Sequence, residues 1–258
     1  MQAALNQDAI LKELLQVWKD FGVQTPAALA SSSKKIRPAE KTQLAPPKLN
    51  IAAYRKPAHS QIDAADLAKS ALNLVQLKEI IQEFDGIALK KGADNMVFGG
   101  GNASAKIMII GDAPGREEDN QGDVFVGAAG QMLDKMLGSI GLSRHENVYL
   151  TYCLNWRTPG NRPPTREELA LSAPFIKRHI ELFAPTTLIL LGDLVAAAVL
   201  GTKEGISKLR NKPHIFAPEA NEIVIKTFCT FNPAHLLRRP SDKGLAWKDL
   251  LSIAAQTI

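Results

Sequence analysis

Four short β-rich runs alternating with helical stretches narrow the fold more than any other feature of this sequence. The runs lie at 106–110, 147–151, 186–191 and 222–230, and helical apolar spacing covers 131–140, 167–183, 194–200 and 245–255. Strands joined through helices run parallel, and a parallel sheet buries both of its faces under helices. The expectation is therefore an α/β fold, a three-layer α/β/α arrangement around a central, mainly parallel four-stranded sheet. Two further helical patterns, at 67–74 and 77–84, precede the first run. At 258 residues and 45% hydrophobic content, the chain can bury one substantial core.

Before position 61 the pattern changes. Ile10, Leu11, Leu14, Leu15, Trp18 and Phe21 fall at helical spacing and Gly22 follows, which predicts an N-terminal helix within 1–23. Residues 24–60 dissolve into Pro, Ala, Ser and Lys, with seven Lys and Arg side chains opposed by Glu40, and read as a flexible basic linker. Such a stretch is either simply solvated or a secondary hold on DNA phosphates. The main domain is expected over 61–258.

Composition excludes several classes. No stretch approaches the roughly 20 apolar residues that span a bilayer, and the first residues lack a secretory pattern, so the chain is expected to be soluble and cytoplasmic. Cys153 and Cys229 sit in apolar or β-branched runs and suggest no disulfide framework. The five histidines are scattered, so no metal site is expected. A formal charge of +5 is a mild bias toward polyanions. A monomer is the simplest assumption.

In open α/β sheets the working site lies beyond the carboxyl ends of the strands. The first loop there, GDAPGREED at 111–119, combines a tight glycine-proline turn with acids and lacks a phosphate-binding glycine pattern. Shortly after it, Phe125 stands on a loop between Gly122 and Gly127, as a core plug or as a ring that stacks on a base. The second loop, 156–165, is stiffened by prolines and leads into a capping box of Thr165 and Glu168. Its Arg157 and Arg162 suit either phosphate contacts or salt bridges. The third loop, 231–240, orders polar, apolar and cationic residues in turn; Leu236 and Leu237 are equally a DNA wedge or a core-facing helix surface.

In order and spacing these segments resemble the family-four uracil-DNA glycosylases. Those proteins show GEAPG then ED, GxxFVGxAGQ, YITNxVxxRPPGNRxPTxxE, a strand ending in LG, GIxxLRG and HPAYLLRxP. The counterparts here lie at 111–119, 122–131, 149–168, 190–192, 205–210 and 232–240. The resemblance implies a DNA-repair glycosylase that flips a deaminated base, uracil first, out of DNA and hydrolyses its N-glycosidic bond. It sets Asp112 and Asn232 as catalytic residues and Ala113, Glu118, Phe125 and Tyr152 against the base. Arg157, Asn161, Arg162, His235, Leu236 and Arg238 would then hold DNA.

The departures from the family pattern are specific. The four cysteines that bind an iron–sulfur cluster in the family correspond to Phe84, Ile87, Trp156 and Ser172, so no cofactor is expected. The first-motif Glu is Asp112, the base-reading Asn is Tyr152, the His of HPAYLLR is Asn232, and its Tyr is His235. These changes leave two further readings beside the active glycosylase. One is a DNA-binding relative with weak or lost catalysis or changed base specificity; the other is an α/β enzyme acting on free nucleotides.

Overall fold

The computed structural model describes residues 61–218 and 224–257. The chain divides into two units, Met1–Lys56 and Pro57–Ile258, and all described residues belong to the second. The expected N-terminal helix and basic linker lie outside the described residues.

The sheet has six strands in the order β1-β3-β2-β4-β6-β5. These are β1 (Gly99–Gly101), β2 (Ile107–Gly111), β3 (Val148–Tyr152), β4 (Thr187–Leu191), β5 (Pro213–Phe216) and β6 (Ile225–Thr230). The four expected strands form the parallel centre, β3-β2-β4-β6. Every residue of β2, β3 and β4 is buried, so both faces of these strands are covered, as runs without polar alternation require.

The expected four-stranded sheet gains two antiparallel edges, β1 on β3 and β5 on β6. β1 is all glycine and β5 is four residues long, so neither stands out as a strand. Each glycine of β1 is closely faced: a Cβ would strike the Tyr149 side chain at Gly99, the Val124 side chain at Gly100 and the Val148 carbonyl at Gly101, whose φ is also positive. β5 opens with Pro213, which a sheet tolerates at an edge.

The helices surround this sheet: α1 (Gln61–Ser70), α2 (Leu74–Glu83), α3 (Arg116–Gln121), α4 (Ala128–Gly138), α5 (Arg166–Phe183), α6 (Asp193–Leu200), α7 (Ile206–Leu209), α8 (Pro233–Arg238) and α9 (Lys243–Thr257). Helix α5 starts at the expected capping box, where Thr165 Oγ1 accepts from the Glu168 amide and Glu168 accepts from the Thr165 amide. Helices α1 and α2 pack on α5. No helix among the described residues is long and apolar enough to cross a membrane.

Phe84, Ile87 and Trp156 belong to one buried apolar cluster, in which Phe84 meets Phe175 edge-on at 5.1 Å. Ser172, also buried, donates to the Cys153 carbonyl. Removing the largest of these side chains opens a cavity inside a close-packed core. Trp156→Ala is expected to lower stability by about 3–5 kcal/mol, read from denaturant unfolding.

Candidate active site

The strand order reverses between β2 and β4, because β2 is followed by β3 on one side and β4 returns on the other. Such a switch point leaves a crevice beyond the carboxyl ends of the strands. A cleft of about 370 Å³ lies there. Each parallel strand feeds it: Asp112 follows β2, Tyr152 ends β3, Gly192 and Asp193 follow β4, and Phe231 and Asn232 follow β6.

Asp112 and Asn232, 120 residues apart in sequence, meet directly. Asn232 caps α8, its Oδ1 accepting from the Ala234 amide at 2.9 Å, and its Nδ2 donates to Asp112 Oδ1 at 2.5 Å. Capping thus fixes which end of the amide faces the cleft. Burial pushes the Asp112 carboxyl up to about 6 from its ordinary 3.8; the Asn232 hydrogen bond opposes that, and the charge of Asp193 adds to it.

Phe125 is held in the left-handed region, φ 49°, where a side chain is strained. Its neighbours fix it there. Its amide donates to the Tyr152 hydroxyl at 3.1 Å, Arg144 donates to the carbonyls of Val124 and Phe125, and Glu118 accepts from the amides of Val126 and Gly127. Gly130 must be glycine, since a Cβ would meet the Phe125 carbonyl oxygen at 1.7 Å. The Phe125 and Tyr152 rings stack at 4.5 Å and 28°. A Cβ at Gly111 would strike both rings.

Most of the residues singled out from sequence line the cleft: Asp112, Ala113, Glu118, Phe125, Tyr152, Asn161, Arg162, Asn232, His235 and Arg238. Their environments differ from the expectation in several places. Glu118 is buried and its carboxylate also accepts from the Gly115 amide, so both oxygens serve the loop backbone. Arg162 makes a two-pronged pair with Glu168, which holds that carboxyl below its ordinary value. Arg157 lies outside the cleft lining, donating to Asn161 Oδ1 at 2.6 Å and standing 3.8 Å from the buried Asp119. Both arginines thus make ion pairs in this structure.

Leu236, expected at DNA, is fully buried in α8; the exposed leucine of the pair is Leu237, at 41%. The correction follows from the facing of a six-residue helix, whose adjacent positions point about 100° apart. His235 stacks on Phe231 and bonds Asp242 at 2.7 Å, while Arg238 and Arg239 are exposed beside it.

Asp193 was not singled out from sequence. Its place directly after a strand and a glycine was the available signal, since Gly192 at φ 109° turns the chain into α6 there. The four positions aligned with cluster cysteines do not fit an iron–sulfur group: three carry hydrocarbon or indole side chains, and the Ser172 hydroxyl is engaged. Among the described residues no group of three or more His, Cys, Asp or Glu could hold a metal ion.

The family described as the uracil DNA glycosylase superfamily matches residues 98–251. The chain is 38% identical over 156 residues to the type-4 uracil-DNA glycosylase of Archaeoglobus fulgidus, covering 59% of this chain and 77% of that protein. It is 34% identical over 183 residues to the type-4 enzyme of Pyrobaculum aerophilum, covering 69% and 92% respectively. To that of Thermotoga maritima it is 34% identical over 168 residues, 65% of this chain and 84% of the relative.

The raised Asp112 carboxyl links stability to pH. Below about pH 4 native and unfolded chains both carry it protonated; between its ordinary 3.8 and about 6 only the unfolded chain ionises, so stability falls as pH rises. Asp112→Asn removes that burden. In urea unfolding it should gain on the wild type between pH 4 and pH 8; a gap between the two proteins that stays constant with pH would contradict this.

Proposed function

The chain belongs to the uracil-DNA glycosylase superfamily, and from that membership we propose that it hydrolyses the N-glycosidic bond of uracil in DNA to start base-excision repair. It is a uracil-DNA glycosylase-like hydrolase of N-glycosyl bonds. The observation that carries the mechanistic reading is the meeting of Asp112 and Asn232 in the cleft at the strand ends.

Cleavage separates charge, positive on the sugar and negative on the departing base. Ionised Asp112 faces the sugar, stabilising its positive charge and orienting the attacking water. Asn232 has a second amide hydrogen beyond the one given to Asp112, and it donates this to the departing base as negative charge grows there. The target nucleotide is flipped from the helix into the cleft. Leu237 enters the vacated stack, and exposed Arg238 and Arg239 beside it take phosphates. Phe84, Ile87 and Trp156 fill the interior at positions aligned with the family's cluster cysteines, which supports a reading without an iron–sulfur cluster.

Single-turnover reaction with a uracil-containing oligonucleotide should leave an alkali-labile site. The rate should climb with pH through about 6, because the acting form of Asp112 is the ionised one. Asp112→Ala should slow it, and Asn232→Ala should cost on the order of 10²–10³ as loss of a transition-state donor. Leu237→Ala should lose more on double-stranded than on single-stranded substrate. No product from uracil strands, with salt-dependent DNA binding intact, would favour the second reading, a DNA-binding relative with weakened catalysis. That reading draws on the Phe125–Tyr152 stack, which leaves each residue only 4% exposed. Iron analysis of the purified protein should find no stoichiometric iron; a brown, iron-loaded preparation would overturn the cluster-free assignment.

A further inference from the structure

A base captured on Phe125 needs an open ring face and somewhere to place its carbonyl oxygens. Both are already taken. The Tyr152 ring lies stacked on Phe125 at 4.5 Å and 28°, within the range for stacked aromatic pairs, and the Tyr152 oxygen accepts the Phe125 amide at 3.1 Å, as a base carbonyl would. Tyr152 nonetheless belongs to the cleft lining together with Asp112 and Asn232. Burial keeps its hydroxyl neutral, like the uncharged face of a base.

We infer that Tyr152 is a resident substitute for the base, a planar ring and an oxygen occupying the place over Phe125 that an extruded base would need. The inference rests on the glycosylase reading for the identity of that base. Its consequence is a site closed to the base in its resting state. Base capture then requires the ring to leave Phe125, giving up the stacking and the hydrogen bond together. That departure also frees the amide that helps hold Phe125 at positive φ, so opening the slot and loosening the Phe125 turn are one event. Tyr152 thereby sets how fast a base is captured. A shorter amide side chain at this position would clear the ring face at once.

The test compares binding to two duplexes under conditions where nothing is cleaved. One carries 2′-fluoro-deoxyuridine, whose fluorine disfavours positive charge on the sugar; the other carries a tetrahydrofuran abasic analogue. The wild type should bind the two within about threefold, because the base finds no slot. Tyr152→Asn should prefer the uridine duplex by tenfold or more, and should excise uracil faster than the wild type by at least as much. A tenfold preference for the uridine duplex in the wild type would overturn the inference, as would a folded Tyr152→Asn protein without that preference. If Tyr152→Asn does not fold, the wild-type ratio alone decides. Absence of excision by either protein would count against the glycosylase reading, while the binding ratio still judges the role of Tyr152.

Discussion

Because β2, β3 and β4 are buried at every position, this sheet has no face on which to do chemistry. Polar side chains that must meet a ligand are pushed to the ends of the strands, and the reversal of strand order between β2 and β4 keeps a crevice open at the carboxyl end. The rest of the site depends on that constraint. Asp112, Tyr152, Asp193 and Asn232 are far apart in sequence and share a cleft because their strands end along the same edge.

The Phe125 turn shows how such an edge is stiffened. A phenylalanine in the left-handed region costs on the order of 1–2 kcal/mol. Each of the surrounding hydrogen bonds contributes about 0.5–1.5 kcal/mol net. The bonds made with Arg144, Glu118 and Tyr152 together outweigh the strain, which keeps the turn stable as built. Two side chains that sequence comparison would assign to the base, Glu118 and Tyr152, are thus part of the support of the loop beside it.

What could be read in advance divides along physical lines. The four central strands were legible because burial selects short runs rich in aliphatic, aromatic and β-branched residues, and the capping box at Thr165 was legible because its chemistry is local. The edge strands were not, since Gly99–Gly101 is shaped by Tyr149, Val124 and the Val148 carbonyl packed against it and Pro213–Phe216 is half exposed. Leu236 and Leu237 differ only in which way a short helix faces, and that is decided by packing at long range. The partners of Arg157 were hidden similarly: Asp119 lies 38 positions away in sequence and Asn161 sits in the same irregular loop. The cleft residues themselves were mostly legible from the motif resemblance, whereas their hydrogen-bond states were not.

The pairing of Asp112 with Asn232 also bears on when the Asp112 carboxyl ionises. The resemblance sets a histidine at position 232, a side chain able to become a cation and so to hold a neighbouring carboxylate ionised by charge. A neutral amide offers one hydrogen bond and no charge, so desolvation dominates and Asp193 pushes in the same direction, leaving the carboxyl near 6. The shorter Asp also draws the anion back toward β2 by roughly 1–1.5 Å on covalent geometry. The Asn232 amide still reaches it, spanning from the end of β6 to the end of β2. The acid is within hydrogen-bond reach of the group at 232, whose single bond pulls the carboxyl down by less than burial and the charge of Asp193 push it up.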